Sequence, residues 1–435
     1  MLLRTIPGSA TQYGLIVFDA NSEERDGAGT QRVLKTAVSE DVSNVFLFSH
    51  GWMGDVPAAM DQYDRWIGRL DTLAADRARA AQIFPHFRPL YIGLHWPSMP
   101  WGDEELVDGS FGAAAGGSHP DVLFNDYLSR LEDTPAVRFA LRRIVDGARQ
   151  NAAAGRLSPE LRDAFLQLHN ALDLRSEGAG GAPDADCEPF DPEARFQADE
   201  ASFGGFDIFG GCLGFLRLCS YWMMKKRARK IGEGGMYSFV KWLQHSTRAR
   251  IHLMGHSFGS IVISSILGGP QGRGTLECPI DSVALVQGAL SLWSYASSIP
   301  FDGIGPGYFH QVIADGKIAG PLITTQSRFD FATGRMYPAA SAVSNAVSFA
   351  PGELPRYGAV GTFGLQGLAN EVKSDMTMLD DKSEYEFEPG RIYNLEASRF
   401  ISHGGGSSGA HNDIDRPEVA HAIWQAAFAS AENRR

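Results

Sequence analysis

The residue best placed for nucleophilic chemistry is Ser257, in Gly255-His256-Ser257-Phe258-Gly259. In a chain with 49 glycines, a GxSxG pattern alone carries little weight, since shuffling gives about 0.4 matches. A second match, Gly405 to Gly409, is present. Context separates the two. Ser257 follows the apolar run 251–254 and precedes Ser260-Ile261-Val262-Ile263, so it sits where a strand turns into a helix. Such a turn strains the serine and exposes its Oγ. Neighbouring backbone must then approach closely, and side chains at Gly255 or Gly259 would clash. The helix that follows aims its N-terminal N–H groups and dipole at the same point, favouring a developing oxyanion. Ser407 lies in HGGGSSG and leads into no helical pattern, which reads as a flexible glycine loop.

A serine hydroxyl needs a general base, and the base needs an orienting carboxylate. Downstream of Ser257 stand His310, His403, His411 and His421. His421 falls inside the helical period of residues 417–431, and His310 precedes the candidate acid. His411 lies in Gly409-Ala410-His411-Asn412-Asp413, on a loop between a late strand and the last helix, and is the expected base; His403 is its rival. The acid should follow a late strand, and Asp330 does, in Ser327-Arg328-Phe329-Asp330 after the apolar run 320–326. Asp413 and Asp415 follow the base too closely to reach its Nδ1 easily. The order is Ser257, Asp330, His411, with spacings of 73 and 81 residues. Upstream, Val45-Phe46-Leu47-Phe48-Ser49 ends in His50-Gly51-Trp52, a turn able to supply a second backbone N–H. The expected oxyanion donors are therefore the N–H groups of Phe258 and Trp52. His50 is expected to hold that loop by hydrogen bonds rather than to move protons. Substrate-facing candidates are His50, Gly51, His256, Trp96 and Trp293, with Trp52, Trp101 and Phe258 beside them; an aromatic lining would favour hydrophobic acyl groups.

Apolar runs of strand length occur at residues 14–20, 45–49, 90–95, 251–255, 283–287, 322–326 and 392–395, bounded by turn residues. Helical patterns lie between many of them, at 56–80, 137–151, 159–172, 235–245, 260–267 and 417–431. That alternation predicts an α/β architecture with a mainly parallel sheet. From His95 to Ile251 is 156 residues, whereas a crossover needs about 30. The interval must therefore hold a large insertion. Residues 176–200 within it are acidic and rich in Gly, Ala, Pro and Asp, which predicts a mobile stretch.

Composition narrows the function classes. The chain has 435 residues, a net charge of −12, 44% hydrophobic and 21% charged residues. A large core is affordable. The acidic balance argues against a general nucleic-acid binder. Four cysteines without CxxC pairing argue against a disulfide scaffold and predict free thiols in a reducing cytosol. The N-terminal residues show no secretory pattern, and the uncharged run 282–301 holds Gln287, Gly288, Pro300 and five serines, which suits a buried strand and loop better than a membrane span. A cytoplasmic protein is expected, with no metal or cofactor required.

Taken together, the GHSFG elbow, HGW turn, SRFD loop and GAHND loop resemble the α/β-hydrolase superfamily over roughly residues 10–95 and 230–431. The chain also resembles an uncharacterised bacterial group of such hydrolases that carries GLHWPS (Gly93 to Ser98 here) and a VGEGG-like lead-in (Ile231 to Gly235 here, IGEGG). The resemblance implies an eight-stranded, mostly parallel sheet and acyl transfer through a serine ester. It divides the chain into core residues 1–95 and 231–435 around a mainly helical cap, 96–230. The expected activity is carboxylic ester hydrolysis on a small-molecule or polymeric ester, esterase- or lipase-like. A thioesterase, amidase or acyltransferase using the same triad is the alternative, and a non-catalytic hydrolase-like binding protein is the alternative of another class. Residues 203–224 are the most apolar part of the insertion and run into Lys225-Lys226-Arg227-Ala228-Arg229-Lys230. Two readings follow: a cap helix packed over the site with a solvated basic end, or an interfacial lid meeting lipid.

Overall fold

The computed structural model describes residues 2–25, 27–52, 56–84, 86–98, 120–151, 156–202, 210–301, 303–342 and 354–433. Among them, nine strands form one sheet: β1 (Leu2–Thr5), β2 (Gln12–Val17), β3 (Asn44–Ser49), β4 (Pro89–His95), β5 (Arg250–His256), β6 (Ser282–Val286), β7 (Leu322–Gln326), β8 (Lys373–Thr377) and β9 (Ile392–Glu396). Their order is β1-β2-β4-β3-β5-β6-β7-β9-β8. β1 runs antiparallel to β2, and the other pairings are parallel. The seven apolar runs each form a strand. The two strands beyond them are the edges: β1 is short, and β8 (KSDMT) has no apolar run because one side of it faces solvent. Polar edge strands of this kind resist pairing with other chains.

Alternation along the strands builds two cores. In β3, Val45 and Leu47 join one apolar cluster while Phe46 and Phe48 join the other, as a period of two requires. Each phenylalanine buried this way contributes about 1.5–3 kcal/mol. Helices cover both faces. The Val45 side takes α1 (Gly29–Ser39), while the Phe46 side takes α2 (Val56–Thr72) and α3 (Ala74–Ile83). The single helix expected over 56–80 is thus two, separated at Leu73, whose φ of −81° and ψ of 78° are not helical.

Between β4 and β5 lie α4 (Pro120–Arg130), α5 (Pro135–Asn151), α6 (Pro159–Ala171), α7 (Pro192–Ser202) and α8 (Gly210–Ile231). They build a cluster of their own around Phe124, Leu141, Phe165 and Phe215. α8 serves two masters: Phe215, Leu216, Cys219 and Met223 face that cluster, while Met224, Ala228 and Ile231 enter the main core. No helix of the described residues is long and apolar enough to cross a membrane. The remaining helices are α9 (Tyr237–Ser246), α10 (Gly259–Gly268), α11 (His310–Ala314), α12 (Tyr337–Ser341), α13 (Val360–Phe363) and α14 (Pro417–Ala429). α9 and α10 pack on the Val45 side and α14 on the Phe46 side.

Two expectations about the insertion change. The acidic stretch 176–200 is not loose where it is described: Ala179, Ala182, Asp184, Ala185, Asp186 and Cys187 are buried. Its charges have partners, which composition cannot reveal. Arg229 donates to both oxygens of Asp184, at 2.5 and 2.8 Å. Asp186 accepts from Gly180 N–H at 2.7 Å and from the Tyr337 hydroxyl at 2.9 Å. The basic run after α8's apolar part is only partly a solvated end: Lys230 is exposed, but other cations of the run are not. Lys225 is fully buried, donates to the Tyr337 hydroxyl at 3.0 Å and lies over the Trp222 ring at 4.4 Å. Arg227 donates to the carbonyls of Arg130 and Leu131. Lys225 and Arg227 are thus partnered inside the fold. Residues 203–209, the start of the apolar stretch, lie outside the described residues.

Candidate active site

Strand register brings the turns together. Ser49 pairs with Gly255, so β3 and β5 end side by side and release His50-Gly51-Trp52 next to His256-Ser257. Gln326 pairs with Glu396, so β7 and β9 also end together and release the Asp330 and His411 loops at the same edge. Those two loops are pinned directly: Asp330 and Gly409 form an antiparallel bridge, and Ala410 N–H donates to Phe329 O at 2.8 Å.

Ser257 sits between β5 and α10 with φ of +55°, the left-handed region that a serine rarely adopts. Its N–H donates to Val286 O at 3.2 Å and its carbonyl accepts from Ala289 N–H at 3.1 Å, so the strained turn is held on both sides. Gly259 is needed for close approach: a methyl there would overlap the carbonyls of Ser49 and His50. Gly51 is needed for the same reason, since a methyl would run into Ser257 Cβ and lie 3.1 Å from Oγ. Phe258, at the start of α10, has helical φ and ψ, so its N–H is one of the helix-entry amides without an intrahelical acceptor.

The side chains meet in a relay. His411 Nε2 is 2.8 Å from Ser257 Oγ, and His411 Nδ1 is 2.8 Å from Asp330 Oδ2. Asp330 can only accept, so Nδ1 carries the proton and Nε2 is free to take one from the serine. Asp330 is 1% exposed and its two oxygens take further N–H donors: Thr333 N at 2.9 Å on Oδ1 and Gln287 Nε2 at 2.9 Å on Oδ2. His411 is 6% exposed and Ser257 4%, so the relay is almost wholly shielded from solvent.

Two further histidines hold the scaffold. His50 accepts from Trp96 N–H on Nε2 at 3.3 Å and donates from Nδ1 to Gly51 O at 2.8 Å. Its ring stacks on Trp96 at 5.4 Å, and Trp96 Nε1 donates to His50 O. The His50 N–H donates to the Tyr63 hydroxyl at 2.8 Å. His256 accepts from Gln62 Nε2 on Nδ1 at 2.9 Å and donates from Nε2 to His411 O at 3.0 Å. Burial pushes both imidazoles down to about 3, with a neighbouring histidine adding to it: His95 beside His50, His411 beside His256. Both therefore stay neutral, which suits fixed donor–acceptor roles and not proton shuttling.

Of the residues expected at the site, Ser257, Asp330 and His411 come together, with Gly51, Trp52 and Phe258 against them. Trp52 is partly buried, stacks on Phe258 at 6.0 Å, and touches both the main core and the insertion's cluster. Four substrate-facing candidates need correction, His50 among them, since it is fully buried with both ring nitrogens bonded. Trp96 is fully buried behind His50. His256 faces Gln62 and the base loop. Trp293 packs with Ala179, Ile299 and Tyr357 and donates to the carbonyls of Pro355 and Arg356, in a separate cluster. An aromatic in sequence says only that a large apolar surface must be covered, and here the fold covers it. Trp101 lies outside the described residues. The rivals lie elsewhere too: the His403 side chain is 76% exposed, and Asp413 accepts from Ser402 N–H, His403 N–H and Arg416.

Gln287, Thr333, Gln62 and Tyr221 were not legible as site residues. Tyr221, on α8, packs its ring on Phe258 at 5.3 Å and on Trp52 at 6.3 Å, so the insertion contributes a wall beside both expected oxyanion donors. Its helical spacing signals only an apolar helix. Asp330 to Thr333 is a short-range turn that a D-x-x-T pattern could have flagged. Comparison with protein-family models, with curated proteins and with solved structures finds no match for this chain.

Proposed function

We propose that this protein is a serine hydrolase with an α/β-hydrolase fold, cleaving carboxylic esters through an acyl-enzyme, with residues 96–230 as its cap. The observation that carries the reading is the relay: Ser257 Oγ, His411 and buried Asp330 joined by two 2.8 Å contacts, with the serine held at φ +55° where a strand enters a helix. His411 Nε2 takes the Ser257 proton as Oγ attacks the ester carbonyl. Asp330 fixes the Nδ1–H tautomer and stabilises the imidazolium that forms. The Phe258 and Trp52 N–H groups stabilise the oxyanion, aided by the N-terminal dipole of α10. His411 then gives its proton to the leaving alcohol, and water, deprotonated by the same nitrogen, releases the acid. Trp52 and Tyr221, both partly buried aromatics against Phe258, favour hydrophobic acyl or aryl groups.

The test is labelling by a fluorophosphonate, with turnover of p-nitrophenyl esters of increasing acyl length alongside it. Modification of Ser257 and loss of turnover in Ser257→Ala by about 10⁴ to 10⁶ in kcat are expected. A folded Ser257→Ala protein retaining half its turnover would sink the proposal. Adding alcohols or amines and analysing the products separates hydrolysis from acyl transfer.

A further inference from the structure

Gln287 is fully buried, follows β6, and has φ of +45°, left-handed like its neighbour Ser257. Two adjacent non-glycine residues in that region cost strain that the surroundings must offset. The turn from Val286 to Ala289 is where they meet. Val286 O accepts from Ser257 N–H, and Ala289 N–H donates to Ser257 O. The side chain in between reaches the other end of the relay.

Its amide orientation follows from hydrogen-bond logic. The Thr325 hydroxyl accepts from Gln287 N–H at 2.9 Å. It has one proton of its own, which goes to Gln287 Oε1 at 2.9 Å. Nε2 must then point the other way, to Asp330 Oδ2 at 2.9 Å and Gly361 O at 3.4 Å. Asp330 Oδ2 is the same oxygen that receives His411 Nδ1. Without Nε2, that oxygen could swing about the Thr333 anchor and take the imidazole with it.

We propose that Gln287 is a positioning residue of the triad: its turn fixes the nucleophile's backbone while its amide fixes the acid, so both ends of the relay share one register. The inference rests on the triad reading above. It adds an element outside the Ser–His–Asp set, drawn from the end of a different strand.

The experiment compares Gln287→Met and Gln287→Gly with wild type by fluorophosphonate labelling rate and by kcat and KM on p-nitrophenyl butyrate. Methionine keeps the buried volume but has no amide. Glycine accepts φ +45° without strain and has neither volume nor amide. A positioning amide predicts that both variants lose about tenfold to a hundredfold in kcat and labelling rate, with KM within about twofold. Gln287→Met at the wild-type kcat would show a packing role only and overturn the proposal. So would losses in which KM rises as much as kcat falls. Labelling of wild type at Ser257 with an indifferent Gln287→Met removes this proposal alone, whereas a wild-type chain that is not labelled removes the triad reading and this inference with it.

Discussion

Among the described residues stand two buried histidine–aspartate pairs of nearly the same geometry. His411 Nδ1 is 2.8 Å from Asp330 Oδ2, and His421 Nδ1 is 2.8 Å from Asp76 Oδ2. What differs is the other nitrogen. His411 Nε2 faces the Ser257 hydroxyl, which can give up a proton. His421 Nε2 faces the carbonyl of Ser383 at 2.9 Å, which can only accept one. With an acceptor on each side, His421 is held above its ordinary value: burial opposes the charge, but the Asp76 and Ser383 hydrogen bonds and the Asp76 charge outweigh it. One pair faces a hydroxyl, as the proposed proton transfer requires, and the other clamps α14 to α3 and to the loop carrying Ser383. A histidine–carboxylate contact is thus weak evidence for catalysis until the second nitrogen's partner is known.

The largest expected contrast is between the two histidines themselves. His411→Gln should lose about 10⁴ to 10⁶ in kcat, while His421→Gln, assayed below its melting temperature, should stay within about twofold of wild type. Equal losses would break the comparison. The acids should separate along a different axis. Asp330→Asn should cost about 10⁴ in kcat through the wrong tautomer. Asp76→Asn should leave kcat alone and cost about 1–3 kcal/mol of stability, read by urea denaturation.

Acid should act on the scaffold histidines. His50 and His256 stay neutral in the folded state down to about pH 3, but protonate near 6.5 once unfolded. The unfolded chain therefore binds more protons in that window, and stability falls as pH drops below about 6.5. The melting temperature at pH 5 should be lower than at pH 7.5, and His256→Gln should flatten that dependence; an unchanged slope would show that His256 is not held neutral. The smallest effect has the opposite sign. His421 is raised in the folded state, so its contribution is full below about 6.5 and fades as pH climbs through its folded value. The gap in melting temperature between wild type and His421→Gln should be wider at pH 6 than at pH 9.

Local chemistry explains what the sequence made legible. The elbow around Ser257 shows in sequence because strand, strained turn and helix are contiguous, and each leaves a pattern. Asp330 and His411 could be ordered along the chain because each follows a strand run into a loop. Gln287 gave no such signal: its partner Asp330 is 43 residues away, and a glutamine after an apolar run looks like any strand end. β8 escaped for the converse reason, since an exposed edge has no apolar run to detect. The stretch 176–200 was misread because acidic composition reports charge and not whether Arg229 and Tyr337 wait nearby.

Lys225, Tyr337 and Asp186 form a buried chain from α8 through α12 to the acidic stretch, and α12 begins only seven residues after Asp330. For protein engineering this makes the insertion non-modular. Excising it, or grafting another in its place, would strip the Tyr337 hydroxyl of both partners and loosen the segment that follows Asp330. A chimera would have to exchange residues 330–341 together with the insertion to keep Asp330 in register with His411.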